Sequence, residues 1–260
     1  MRFVRGTTSR RILLGSIPLV VALFLWEWMD RDNDRFTFLF SRPWLILRTL
    51  YADVAAGTLI QHTFVTAAEA LTGLLLATVI GVTLGLALWG FEKAAPIARI
   101  YVALLASIPL IAVAPMTIIW FGTGFAAKVA LALLSTVFLA ISQTYQASLM
   151  ANSEARQMLQ IFGASQRDIL RLLILPSSLA WLVWNVRANI GFALLGAFLG
   201  EVISSDRGLG HYIMKASGLY DVSRVFSGVI CLMTIAIAAD FVIGVVDRRL
   251  FPWRHSNYLE

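Results

Sequence analysis

The run "WNVRANIGFALLGAFLGE", residues 184–201, holds an arginine and a glutamate inside an otherwise apolar segment. At about 100° and 1.5 Å per residue, Arg187, Gly191, Leu194, Phe198 and Glu201 fall on one helical stripe. The two ionisable groups then lie roughly two nanometres apart along the axis. Asn185, Asn189, Gly196 and Gly200 share a roughly opposite stripe, and the last two make a GxxxG close-packing pattern. An ionisable group in an apolar run is costly, so it faces an internal cavity or a partner. Arg187 therefore has two readings. It lines the path of an anionic solute, or it pairs with a carboxylate such as Asp240 in the last apolar run. Pro109 and Pro115 interrupt a third run. Each removes a backbone donor and kinks a helix, which either bends a pathway or serves packing alone.

Other chemistry finds little support. The scattered serines and three histidines form no hydrolase spacing, so no catalytic residue is assigned. With one cysteine, Cys231, neither an internal disulfide nor a metal centre is expected. "GTGFAA", residues 122–127, fits a loose dinucleotide pattern but lies between two apolar runs, not between a strand and a helix. No G-x-x-x-x-G-K-[ST] occurs. The chain is expected to bind no cofactor itself, and energy for any active process must come from a partner or an ion gradient.

These residues need elements to position them, and composition says which. The chain has 260 residues, 59% hydrophobic and 14% charged. Its long apolar runs reach the length at which a helix spans a bilayer. The expected class is an all-α integral membrane protein with about six transmembrane helices, near 12–28, 66–89, 98–121, 128–145, 179–203 and 225–246. The net charge of +6 is explained by arginines flanking these spans, without nucleic acid. Twelve basic residues fall on the side of both termini and eight on the other, which places the termini in the cytoplasm. Trp26, Trp28, Trp89, Trp120, Trp181, Trp184 and Trp253 sit near span ends, as interfacial aromatics do. The N-terminal run is read as an uncleaved span, since no small-residue cleavage site follows it. Residues 41–57 repeat Trp44, Leu47, Tyr51 and Val54 at helical spacing, which suits a helix lying on the outer surface in contact with lipid. Gly81 and Gly85 form a packing pair in the second span, and Asp206, Gly208 and Gly210 an outer turn. The expected division is an N-terminal arm over 1–61, a core over 62–250 and a tail over 251–260.

One charged, amphipathic stretch interrupts this pattern on the cytoplasmic side, within 150–177: "NSEARQMLQIFGASQRDILRLLILP". It reads as two short helices around a break. Gly163 suits a left-handed helix terminus. Ser165 caps the next helix, with Asp168 in capping-box position. Ile169, Leu172 and Leu173 form an apolar face, Arg167 and Arg171 a polar one, and Pro176 closes the helix. Such a piece is suited to docking by another protein, or it tucks against its own bundle.

The spacing Gly163, nine residues, Leu173, one residue, Leu175-Pro176 resembles the cytoplasmic-loop motif of permease subunits of binding-protein-dependent ABC importers. Gln157, Met158 and Leu159 occupy that motif's Glu-Ala-Ala positions, and Ala164 and Ser165 follow the glycine. "HTFVTAAEALTGLLLATVIGVTLGLALWG", "SIPLIAVAPMTIIWFGTG" and "VRANIGFALLGAFLGEVISSDRGLGHYI" resemble the nitrate, aliphatic-sulfonate and taurine branch of that family, with Glu69 where that branch commonly has arginine. The resemblance implies a type I ABC importer permease fold with a coupling-helix insert, in a bacterial inner membrane. It also implies a second permease copy, two cytoplasmic subunits that bind ATP and Mg, an external solute-binding protein, and a small anionic solute. Permeases for thiamine precursors or riboflavin-like solutes share the architecture. An ion-coupled secondary transporter would instead show paired discontinuous helices and internal repeats.

Overall fold

The computed structural model describes residues 8–29, 34–91 and 93–250. The expected tail over 251–260, with Trp253, lies outside the described residues. Among the described residues every regular element is a helix, and none is a strand. The described residues divide into two compact units, those up to 60 with 212–230, and 61–211 with those from 231 onward.

The first unit holds α1 (Thr8–Met29), α2 (Asp34–Phe40) and α3 (Pro43–Ala55). Expected span 12–28 lies within α1. Pro43 starts α3, where its missing N–H costs nothing. Ile46 of α3 is buried while Trp44, Leu47, Tyr51 and Val54 are all exposed, so the predicted stripe faces outward. Asp53 then collects two donors, Tyr212 Oη at 2.6 Å and Arg224 Nε at 3.1 Å. Burial and the hydrogen bond to Asp53 push the Tyr212 hydroxyl above its ordinary pKa. Ser41, at φ 58°, hydrogen bonds Ser223 across 2.8 Å and accepts from Trp26 Nε1.

The second unit contains α4 (Thr58–Gly90, from residue 61), α5 (Ala95–Ala106), α6 (Leu110–Phe121), α7 (Phe125–Leu149), the short α8 (Ser153–Ile161) and α9 (Gln166–Ile169), and α10 (Leu175–Ile203). α11 (Leu209–Gly218) and α12 (Val222–Leu250) each pass from one unit to the other. Among described residues, α4, α7, the 181–203 part of α10, and α12 are long and apolar enough to cross a membrane. The expected span 98–121 is instead a bent pair, α5 and α6, at 88°, and would be a fifth crossing if it acts as one span. The break is chemical. Pro109 disfavours helical geometry at Ile108 and cannot donate, so α5 stops at Ala106 and Pro109 becomes the extended N-cap of α6. Pro115 stays inside α6, without a second break of the helix.

α7 lies at the centre of its unit, and small residues let its neighbours approach. A Cβ placed on Gly73, Gly81 or Gly85 of α4 would overlap or crowd Ala132, Ala140 or Thr144 of α7. On the other side, a Cβ at Gly196 of α10 would lie 2.6 Å from the Leu131 carbonyl oxygen and 2.7 Å from Ala132 Cα. Gly81, Gly85 and the GxxxG of α10 are thus packing faces, where close backbone approach supplies van der Waals attraction that lipid cannot. Asn189 and Gln143 add a reciprocal amide pair between α10 and α7, at 3.0 and 3.3 Å.

Candidate coupling segment and buried polar cluster

The 150–177 insert folds from local signals. Asn152 Oδ1 accepts from the amides of Glu154 and Ala155 at 2.9 and 3.0 Å, so it caps α8. Gly163 follows α8 at φ +79°, where a side chain would be strained, and the Ala164 amide returns to the Leu159 carbonyl at 3.0 Å. The Ser165–Asp168 capping box is complete: the Ser165 amide donates to Asp168 Oδ2 at 2.9 Å, and the Asp168 amide to Ser165 Oγ at 3.3 Å. The Ser165 hydroxyl also donates to Asp168 Oδ2, and these bonds hold the exposed Asp168 carboxyl below its ordinary pKa.

Two expectations need correction here. Pro176 does not close a helix. It lies in the first turn of α10, and the chain stays helical from Gln166 to Ile203 through a π-helical turn, Leu170–Ile174. Widening the helix there accommodates the missing Pro176 N–H and its ring. The wider turn also rotates the apolar face. Ile169 and Ile174 are each 1% exposed and pack on Trp89 with Leu170 and Leu173, whereas Leu172 is 67% exposed. Leu172 thus leaves the predicted face.

The insert both tucks in and reaches out. Leu159 and Ala164 join the Trp89 cluster, and the Arg156 guanidinium lies 5.5 Å from the centre of the Trp89 ring. Yet Met158, Ile161 and Phe162, at 60%, 84% and 77% exposure, form an uncovered apolar patch beside Gly163. Gln157, Arg167 and Asp168 are exposed around it.

The ionisable stripe of α10 separates. Glu201 is 1% exposed and Leu194 is buried, Phe198 is half-buried, and Gly191 faces open space. Arg187 Nε stands 3.4 Å from Asp240 Oδ1 of α12, and Gly244 leaves room for the guanidinium. Glu201 instead anchors the turn after α10. Its Oε1 accepts from Thr66 at 2.6 Å and its Oε2 from the Gly210 amide at 2.6 Å. Thr66 in turn accepts the Leu209 amide at 2.8 Å, and His62 Nδ1 the Gly208 amide at 2.9 Å. Gly208 has φ +100°, and a Cβ there would overlap the Glu201 carboxyl. Glu69, 3% exposed, sets its carboxyl near that of Glu201, and its Oε2 has no hydrogen-bond partner among the described residues. Lys128, 2% exposed, supplies the opposite charge and donates to the Thr123 carbonyl. No local pattern linked 69, 128 and 201. The available signal was that each is an ionisable residue within or at the end of an apolar run, and such groups require partners.

Known proteins match this arrangement. A formylaminopyrimidine transport permease of Halalkalibacterium halodurans is 28% identical over 96% of this chain and 99% of its own. A riboflavin transport system permease of Chloroflexus aurantiacus is 31% identical, over 92% and 90%. A taurine transport system permease of Escherichia coli is 26% identical, over 96% and 92%. In fold, a chain of the inward-facing MetNI methionine ABC transporter superposes with a TM-score of 0.68 at 18% identity, covering 76% of this chain and 98% of that one. The family model of the binding-protein-dependent transport system inner membrane component matches residues 77–252. This chain, a multi-pass membrane protein with a helical insert before α10, belongs to that family of ABC transporter permeases.

Proposed function

We propose that this chain is one of a pair of identical permease subunits importing a small solute, driven by two cytoplasmic subunits that bind ATP and Mg and fed by an external solute-binding protein. Both termini and the 150–177 insert lie in the cytoplasm. The observation that carries the docking assignment is the exposed patch of Met158, Ile161 and Phe162, held between a capped α8 and the capping box of α9. Apolar side chains presented on a pre-ordered helix fit a groove. The helix running on from Gln166 through Pro176 carries a push at the patch into α10. The test is Gly163→Trp: the assembled complex should hydrolyse ATP while transport falls. Normal transport by an assembled complex carrying that substitution would end the docking assignment.

Two solute classes compete, small anions of the sulfonate, taurine or nitrate type and heteroaromatic thiamine precursors or riboflavin-like compounds. The second is favoured by two observations. Arg187 is already balanced by Asp240, and the relatives named for riboflavin and formylaminopyrimidine are 31% and 28% identical. Arg187→Gln at normal expression should then leave solute affinity and selectivity unchanged. A selective loss of anion uptake would restore the first class.

A further inference from the structure

Arg187 and Asp240 form an ion pair whose polar groups are only partly satisfied. Arg187 Nε stands 3.4 Å from Asp240 Oδ1, yet it is a buried nitrogen with no hydrogen-bond partner among the described residues. The Asp240 side chain is 56% exposed and that of Arg187 29%. Both residues lie well inside spanning segments. At 1.5 Å per residue, Asp240 sits about 12 Å deeper along α12 than Arg248 in its last turn, and Arg187 about 9 Å beyond Trp181, where the spanning part of α10 begins. A carboxylate is costly against lipid at that depth, and its side chain is too short to snorkel to the headgroups as lysine or arginine can. It needs water or another polar group on its open side.

The neighbouring surface favours water. On α10, Gly191 lies one turn outward from Arg187, and a Cβ added there would meet nothing within 4 Å. Ala188, next to Arg187 in the chain, is exposed as well. Two small residues thus leave room beside the pair, and the guanidinium and carboxylate supply the polar partners that water needs there. The far side of α12 differs in character. Val242, about 160° around the helix from Asp240, is apolar and 58% exposed, which suits lipid.

We propose that Arg187, Gly191 and Asp240 line a water-filled passage open to the cytoplasmic side, the route by which solute leaves the permease. The assignment rests on the importer reading and the orientation given above. The pair carries no net charge, so it wets the passage without selecting an anion. Arg187 then borders the route without setting the solute class, in keeping with the unchanged selectivity expected of Arg187→Gln.

The experiment is thiol modification of the full chain in inverted membrane vesicles, in a Cys231→Ala background, with a charged, membrane-impermeant methanethiosulfonate. Only a thiolate reacts, and its ionisation needs water, so Gly191→Cys and Asp240→Cys should each be modified about tenfold or more faster than Val242→Cys. Gly191→Cys keeps the ion pair, so it reports on the passage even where Asp240→Cys fails to accumulate. Equal, slow modification of Gly191→Cys and Val242→Cys would overturn the passage. So would a disulfide between two copies of Asp240→Cys that the reagent does not reach, which would identify a dry interface. Modification requires neither ATP nor transport. Fast labelling in a chain that fails to import would therefore remove the importer reading and leave the water-filled passage standing, whereas slow labelling with normal import would remove the passage alone.

Discussion

Replacing Gly208 by alanine isolates the buried polar cluster. Two costs combine. The first is conformational: a Cβ at positive φ costs about 1–2 kcal/mol. The second is steric. The new methyl would overlap the Glu201 carboxyl, 1% exposed and enclosed on every side, so the carboxyl must move. Moving it breaks the bonds from Thr66 Oγ1 and the Gly210 amide, both 2.6 Å long. Each buried group left unsatisfied costs about 1–3 kcal/mol. The sum is about 4 kcal/mol, and at roughly 2–4 °C per kcal/mol for a chain of this size Tm should fall by about 10 °C. Gly57→Ala separates the two costs, because Gly57 also has positive φ, +78°, but a methyl added there would meet nothing within 4 Å. That variant should lose about 3 °C. The assay is thermal unfolding of purified protein in one detergent at one scan rate, since membrane proteins often unfold irreversibly. Equal shifts for the two variants would show that the Glu201 cluster contributes nothing and would refute the reasoning.

The amide pair gives a second expectation. Gln143→Leu leaves Asn189 buried without its partner and should cost about 1–3 kcal/mol, whereas the double Gln143→Leu/Asn189→Leu should recover much of the loss; a double-mutant cycle measured by thermal unfolding checks this. A third concerns Asp168, whose carboxyl is held below its ordinary pKa in the fold. Its contribution is therefore present above the ordinary carboxyl value and lost as pH falls through the lower, folded one. Amide exchange in α9 should differ between wild type and Asp168→Asn at neutral pH and converge in strong acid.

What the sequence made legible was what neighbouring residues decide. Asn152, Gly163 and the Ser165–Asp168 pair act within a few positions, so their caps could be read directly. The glycines of α4 and α10 announced close packing by spacing alone, although not which helix would fill the gap. Pro109 and Pro176 show the limit. Both are helix breakers by chemistry, yet one turned the chain through 88° and the other was absorbed by a π-helical turn. What separates them is the packing of Ile169 and Ile174 on Trp89, some eighty residues away in the chain. Glu69 and Glu201 stood out singly in the sequence and Lys128 did not, and their meeting is a tertiary event with no local signature. Arg187 was legible to the level of two alternatives, and the position of Asp240 on α12 provides the nearby carboxylate of one of them.

The glycine faces on either side of α7 leave no slack. With backbone set against backbone along both flanks, a sliding step of even one residue would drive methyl groups into carbonyls. α4, α7 and α10 are therefore locked against sliding past one another along these faces. In the importer proposed above, solute access would then alternate by tilting of this packed trio, not by threading one helix past another.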